Sequence, residues 1–176
     1  MSGDAGRGAE GRVHSLNVSG GGVPKRPVPE AHVTRDGLVG DVQADRRYHG
    51  GPERAVSLFS LDVIERLRAE GHPVSPGSAG ENVTLAGIDW GLVVPGARLE
   101  LEGGVVLEVT KYCTPCGKIR PSFADGNVHR ISQEDHPGES RVYARVVAEG
   151  TVREGESARV VPAAEPGAAR SDGPLK

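Results

Sequence analysis

Aromatic residues are scarce in this chain of 176 residues: Phe, Trp and Tyr together make up 3%, with a single Trp and a single Met. Cysteine is nearly absent as well, at two copies, Cys113 and Cys116. A structural zinc site needs about four ligands. There is no second cysteine pair, the six histidines show no His-x3–5-His spacing, and His129 and His136 lie too far apart to supply one. Zinc is therefore disfavoured. No apolar run approaches the roughly 20 residues that span a bilayer. A large charge of one sign is missing too: the net charge of −3 gives no general pull toward nucleic acid or anionic membranes. The opening MSGDAGRGAEGR lacks the basic-then-apolar order of a signal peptide. The expectation is a cytoplasmic protein with reduced thiols, with neither nucleic acid nor membrane as a partner.

Glycine and proline, by contrast, are plentiful at 26 and 13 residues, which means many turns and many short elements. Residues 1–11 and 163–176 are rich in Gly, Ala and charge and are expected to stay disordered. Residues 12–162 are expected to form one domain. Within it the dominant period is two. RVHSLNVS places Val13, Ser15 and Asn17 on one face, with His14, Leu16 and Val18 on the other. In LELEGGVVLEVT, Leu99 and Leu101 alternate with Glu100 and Glu102. Gly103-Gly104 then reads as a two-residue hairpin turn, and Val105, Leu107 and Val109 continue on the return strand. Glu149-Gly150 and Glu154-Gly155 punctuate three further strands in RVYARVVAEGTVREGESARVV. One helix stands out in SLDVIERLRAEGH, where Leu61, Ile64 and Leu67 keep helical spacing. Ser60 caps its start, Asp62 suits its first turn, and Gly71 stands where a left-handed stop belongs. Asp62 and Arg66 are spaced for an i,i+4 pair. A shorter helical stretch is expected after Cys116. The fold class is mostly β: a closed or nearly closed β-barrel with one or two short helices.

Several segments look chemical. GLVGDVQADRRYHGGPERAV, residues 37–56, reads either as an exposed charged loop or as a loop that lets backbone N–H groups approach an anion at Gly50-Gly51. In the second reading Arg46, Arg47 and Arg54 supply positive charge. SGGGVPKRPV, residues 19–28, combines glycines with Lys25 and Arg26, either as a phosphate contact or as a flexible connector. In SPGSAGENVTL, Asn82 stands just ahead of a strand and on its own need only close a turn. In KYCTPCGKI the pair follows a β-hairpin, not the βαβ setting of a thioredoxin-type motif. That leaves a free thiol at the end of a strand, or two small buried hydrophobes. If Lys118 or a helix N-terminus lies close to it, the thiolate form of Cys116 is favoured, which would suit a nucleophile or a soft-metal ligand.

GLVGDVQADRRYHGGPERAV, then GSAGENVTL, then VLEVTKYCTPCGKI resembles, in that order, the MOSC family, named after the C-terminal domain of molybdenum-cofactor sulfurases. The resemblance spans residues 13–160 and suggests a small stand-alone member. It implies a barrel of the pyruvate-kinase-barrel-like kind and one functional cysteine in a Pro-Cys motif, here Pro115-Cys116. In cofactor-binding members that thiolate ligates molybdenum and the domain reduces N-hydroxylated compounds. In sulfurases the domain is associated with sulfur transfer, and a persulfide on this cysteine has been proposed for stand-alone members. Many reductase-like members carry Arg three residues before the cysteine. Here Cys113 takes that place, which offers it as a resolving thiol for Cys116.

The resemblance implies that Cys116 is catalytic and the metal ligand. It implies also that Lys25, Arg46, Arg47, His49 and Gly50 contact the pterin phosphate or line its entrance, and that Asn82 shapes the pocket. A small-molecule substrate would then need an electron-donor protein, because the chain carries no flavin, haem or iron–sulfur signature. In the sulfur-carrier alternative a cysteine desulfurase loads Cys116, with pyridoxal phosphate belonging only to that partner. Two further alternatives stay open: a metal-free thiol enzyme acting on carbon–sulfur bonds, and a non-enzymatic binding module.

Overall fold

The period-two pattern builds eleven strands among the residues that the computed structural model describes, 8–42 and 51–163. They are β1 (Glu10–Val18), β2 (Arg26–Val28), β3 (Glu30–Thr34), β4 (Gly37–Leu38), β5 (Val56–Ser60) and β6 (Val83–Ala86). Then come β7 (Arg98–Leu101), β8 (Val106–Tyr112), β9 (Val142–Ala148), β10 (Gly150–Arg153) and β11 (Ser157–Val161). Strand pairing runs β1–β6–β5–β9–β8–β7–β11, and β11 returns to β1, so seven strands close into a barrel. β2 extends the wall beyond β1, while β10, β3 and β4 form a separate small sheet. Pairing starts at Glu10, two residues ahead of the expected domain start.

All barrel pairs are antiparallel except β5–β6. A parallel pair needs a crossover connection, and the helix α1 (Leu61–Ala69) supplies it. Its start and stop follow the sequence. Ser60 Oγ accepts the Val63 N–H at 3.2 Å. Gly71, at φ 103°, donates to the Arg68 carbonyl while His72 donates to that of Leu67, the paired bonds of a Schellman stop. Val63, Ile64 and Leu67 are buried against the barrel, each contributing about 1.5–3 kcal/mol. The expected Asp62–Arg66 pair is replaced by longer-range partners. Asp62 accepts the Gly87 N–H at 3.0 Å, and Arg66 reaches Glu139. Arg130 completes this clamp, bonding Glu70 through Nε and Nη2 and Glu139 through Nη1. Although burial opposes it, the bonds from Arg130 and Arg66 hold the Glu139 carboxyl below its usual range. The clamp ties α1 to the long segment between β8 and β9, which carries Cys116.

Two local expectations change. A bulge between Val13 and Ser15 leaves His14 without a partner on β6, so the alternation slips and both Val13 and Leu16 become fully buried. The β7–β8 turn holds three residues, 102–104, and not the two-residue Gly-Gly turn. Leu101 N–H donates to the Val105 carbonyl and Gly104 N–H to that of Leu101, each at 2.9 Å. Gly104, at φ 101°, is the left-handed residue such a loop requires. Gly103 answers a different need, since a Cβ there would lie 2.5 Å from the Thr151 carbonyl oxygen.

With so few aromatics, the barrel is filled by aliphatic side chains. Val13, Leu58, Leu85, Leu99, Leu107 and Val142 are all buried to within 1%. Interior filling of this kind leaves a small barrel no lumen for a ligand. Any binding site must be built on its wall and loops.

Candidate functional site

The segments singled out in the sequence converge around Ser57 on β5. On one side Ser57 stands opposite Tyr143 of β9. On the other, Ser57 N–H donates to Asn82 Oδ1 at 3.0 Å, and the Ser57 carbonyl accepts the Asn82 N–H at 2.9 Å. The Asn82 amide then reaches further. Nδ2 donates to the Asn17 carbonyl at 3.2 Å and to Asp41 Oδ2 at 2.9 Å. Asn82 is therefore more than a turn former: it ties together β1, β5, β6 and the segment after β4.

Beside this strut lies a pocket with about 650 Å³ of empty space, part of it open to solvent. Its charged lining consists of Lys25, Asp41, Arg54, Lys118 and Arg141, and Cys116 opens onto it half-buried. Cys116 immediately precedes a 3-10 turn, Gly117–Ser122, the helical stretch expected there. Cys113 is in a different environment. It is buried, does not line the pocket, and donates its N–H to the Arg141 carbonyl at 2.9 Å. Burial pushes its thiol up to about 11, against the opposing influence of Arg141 and a bond to Tyr143. Both cysteines are free thiols. Burial also raises the Tyr143 phenol, helped by Cys113, so this ring is neutral at physiological pH.

The pocket cations differ in how their charge is used. Lys25, an expected phosphate contact, spends its charge within the protein: Nζ lies 2.7 Å from both oxygens of Asp41. Arg54 sits over the Tyr143 ring, 5.7 Å from its centroid. Lys118 is exposed. Arg141 is buried, donates from Nη1 to the Ala79 carbonyl at 2.7 Å, and leaves Nε without a partner among the described residues. Four cations against one carboxylate make the described lining suited to an anion. Arg46, Arg47, His49 and Gly50 lie outside the described residues.

A family model, the MOSC domain, matches residues 45–159. The chain belongs to the MOSC domain family. That family is associated with molybdenum-cofactor binding. YflK of Bacillus subtilis, an uncharacterized protein, is 31% identical over 150 residues, covering 83% of this chain. The chain spans 66% of that relative's length. Among solved structures, the YUAD protein of Bacillus subtilis superposes with a TM-score of 0.70 at 17% identity, covering 86% of this chain and 95% of its own. YiiM from Geobacillus stearothermophilus gives 0.62 at 24% identity, over 85% and 74%. Both establish the same barrel fold.

Within this MOSC domain, the structure brings Lys25, Asn82 and Cys116 into one pocket and adds Asp41, Ser57, Arg141 and Tyr143. In the sequence Arg141 and Tyr143 read only as part of a strand pattern. One signal for them exists in SRVYARVV: Arg141, Tyr143 and Arg145 alternate with Val142, Ala144 and Val146. A strand with one apolar face and one polar face marks where the polar side meets something other than the core. Among the described residues no helix is long and apolar enough to cross a membrane.

Proposed function

We propose that this MOSC-domain protein binds molybdenum cofactor in the Cys116 pocket, with the Cys116 thiolate as the metal's protein ligand. One observation carries the reading: a half-buried thiol opens onto a pocket in which, among the described residues, cations outnumber carboxylates four to one. The donor set fits the group, since thiolate is a soft ligand suited to such a metal and the surrounding cations suit an anionic pterin phosphate. When bound, the cofactor supplies two-electron redox chemistry of the kind that reduces N-hydroxylated compounds. The chain's own residues bind and orient. Lys118 offsets anionic charge, Asn82 braces the pocket lining, and the Lys25–Asp41 pair fixes the wall. The buried Cys113, whose thiol resists ionisation, is left as a packing residue, and Cys116 works alone. Electrons come from a partner protein.

The exposure of Cys116 also favours a second reading, a persulfide carrier loaded by a pyridoxal-phosphate desulfurase, because a partner can reach this thiol. Two assays on protein purified from cofactor-replete cells separate the readings. Molybdenum and pterin near one per chain support the first. No molybdenum or pterin, together with about one cyanide-labile sulfur after incubation with a desulfurase and cysteine, supports the second and overturns the first.

A further inference from the structure

Arg141 is an anomaly in the pocket wall. It is 8% exposed, yet among the described residues it forms no ion pair. Its side chain makes one hydrogen bond to the described residues, to the neutral carbonyl of Ala79, and its Nε–H meets no acceptor among them. A buried guanidinium without an ion-pair partner in contact is costly, so a structural role alone does not account for it. The buried carboxyl of Glu81 interacts electrostatically with Arg141, but no ion pair joins the two among the described residues. Burial raises its pKa and so weakens it as a counter-ion, and its Oε1 has no partner there. Its Oε2 accepts from the Gly77 N–H at 3.0 Å and the Thr84 hydroxyl at 2.8 Å. The other pocket cations differ: Lys25 is paired with Asp41, and Lys118 is exposed to water. Gly80 lets the chain pass close by, since a Cβ there would stand 3.0 Å from Val23 and 4.0 Å from Arg141 Nη1.

We propose that Arg141 is the oxyanion-recognition residue of this pocket, so that the small molecule worked on at Cys116 carries a carboxylate or phosphate group that docks on its guanidinium. The inference rests on Cys116 being the working group of the pocket. Guanidinium is the side chain best matched to such groups, because its planar fork presents fixed N–H donors to two oxygens at once. An arriving oxyanion supplies both the missing charge and the missing acceptor at Nε. Neutral ligands of the same size leave that cost in place and are rejected on the same ground.

Charge-selective alkylation tests this on the full chain without any cofactor. Iodoacetate and iodoacetamide both transfer a carbon to a thiolate sulfur with loss of iodide, and they differ in bearing a carboxylate or a neutral amide. The proposal expects the ratio of their rates at Cys116, located by peptide mass analysis, to exceed that of 2-mercaptoethanol. Arg141→Met should lower the ratio roughly tenfold, the value of one charged hydrogen bond, while the iodoacetamide rate stays within about twofold. Because both reagents see the same pocket, a general loss of folding changes both rates alike. An unchanged ratio in Arg141→Met overturns the proposal. A second measurement does not depend on the thiol: thermal stabilisation of Cys116→Ala by inorganic phosphate or, separately, by acetate, each lost on adding Arg141→Met. Stabilisation by phosphate assigns a phosphate ligand, and by acetate a carboxylate. Stabilisation by neither, or by either one regardless of Arg141, overturns the assignment. Loss of selective labelling with Arg141-dependent stabilisation intact instead counts against Cys116 as the working thiol.

Discussion

Lys25 and Asp41 form a two-pronged ion pair in the pocket wall, with Nζ 2.7 Å from each carboxylate oxygen and side-chain exposures of 10% and 4%. Asp41 takes two more bonds, from the Ser19 N–H at 2.9 Å and from Asn82 Nδ2 at 2.9 Å. A pair this buried is costly to break one-sidedly, since the remaining charge is left in a poor solvent. Lys25→Met should cost about 3 kcal/mol in urea unfolding, and Lys25→Met with Asp41→Asn distinctly less. If the double variant is as unstable as the sum of the singles, the pair is not coupled as described.

Asn82 predicts a stability effect at a distance from any ligand. Its Oδ1 accepts from the Ser57 N–H and hydroxyl, and its Nδ2 serves Asn17 and Asp41. Asn82→Ala strands buried partners on three segments and should cost about 3 kcal/mol. Asn82→Asp removes the donor to Asp41 and sets a second carboxylate beside it. Its deficit should grow between pH 4 and pH 7, as measured by chemical denaturation at both values; a pH-independent deficit would contradict this geometry.

Glu81 gives a pH dependence of opposite sign to the ordinary carboxylates. It is fully buried, one oxygen has no partner, and burial raises its pKa above the usual 4.5 despite bonds from Gly77 and Thr84. The folded state therefore holds this proton more tightly than the unfolded chain. Its contribution to stability is full below about 4.5 and is lost as pH rises through the higher folded value. Glu81→Gln keeps a neutral side chain at every pH. Its stability relative to the parent should improve steadily from pH 4 to pH 7. Glu139, held low by Arg130 and Arg66, behaves in the ordinary way: its contribution is lost as pH falls below 4.5.

The barrel was legible because its signals are local. Alternation in β7, β8 and β9, the Ser60 cap and the Gly71 stop each depend on residues a few positions apart. The β1 bulge and the three-residue β7–β8 turn were missed because they depend on contacts across the barrel, Thr151 against Gly103 among them. The pocket was legible in part for the same reason. Lys25, Asn82 and Cys116 stood out within motifs. Arg141 and Asp41 acquire their meaning from partners in distant connecting segments, so composition and spacing near them carry little. Lys25 shows what spacing leaves out: the cation beside glycines lines the pocket, and only the fold reveals that it is paired with Asp41.

The two cysteines should react at very different rates. Cys113 is 2% exposed with its thiol pushed up to about 11, whereas Cys116 is half-buried at the pocket. A disulfide reagent such as DTNB at pH 8 should titrate one thiol quickly in the native protein and the second only after denaturant is added. Cys116→Ala should remove the fast phase and Cys113→Ala leave it. Two fast thiols in the native protein would show that Cys113 is accessible enough to resolve Cys116.

The central claim is that Cys116 is the group through which this MOSC domain holds its cofactor. The most direct measurement is the molybdenum and pterin content of wild-type protein and of Cys116→Ala, purified alike from cofactor-replete cells and matched for folding by thermal unfolding. The account predicts cofactor near one per chain in the wild type and about tenfold less in a folded Cys116→Ala. Equal cofactor in the two proteins, or none in the wild type, would contradict it.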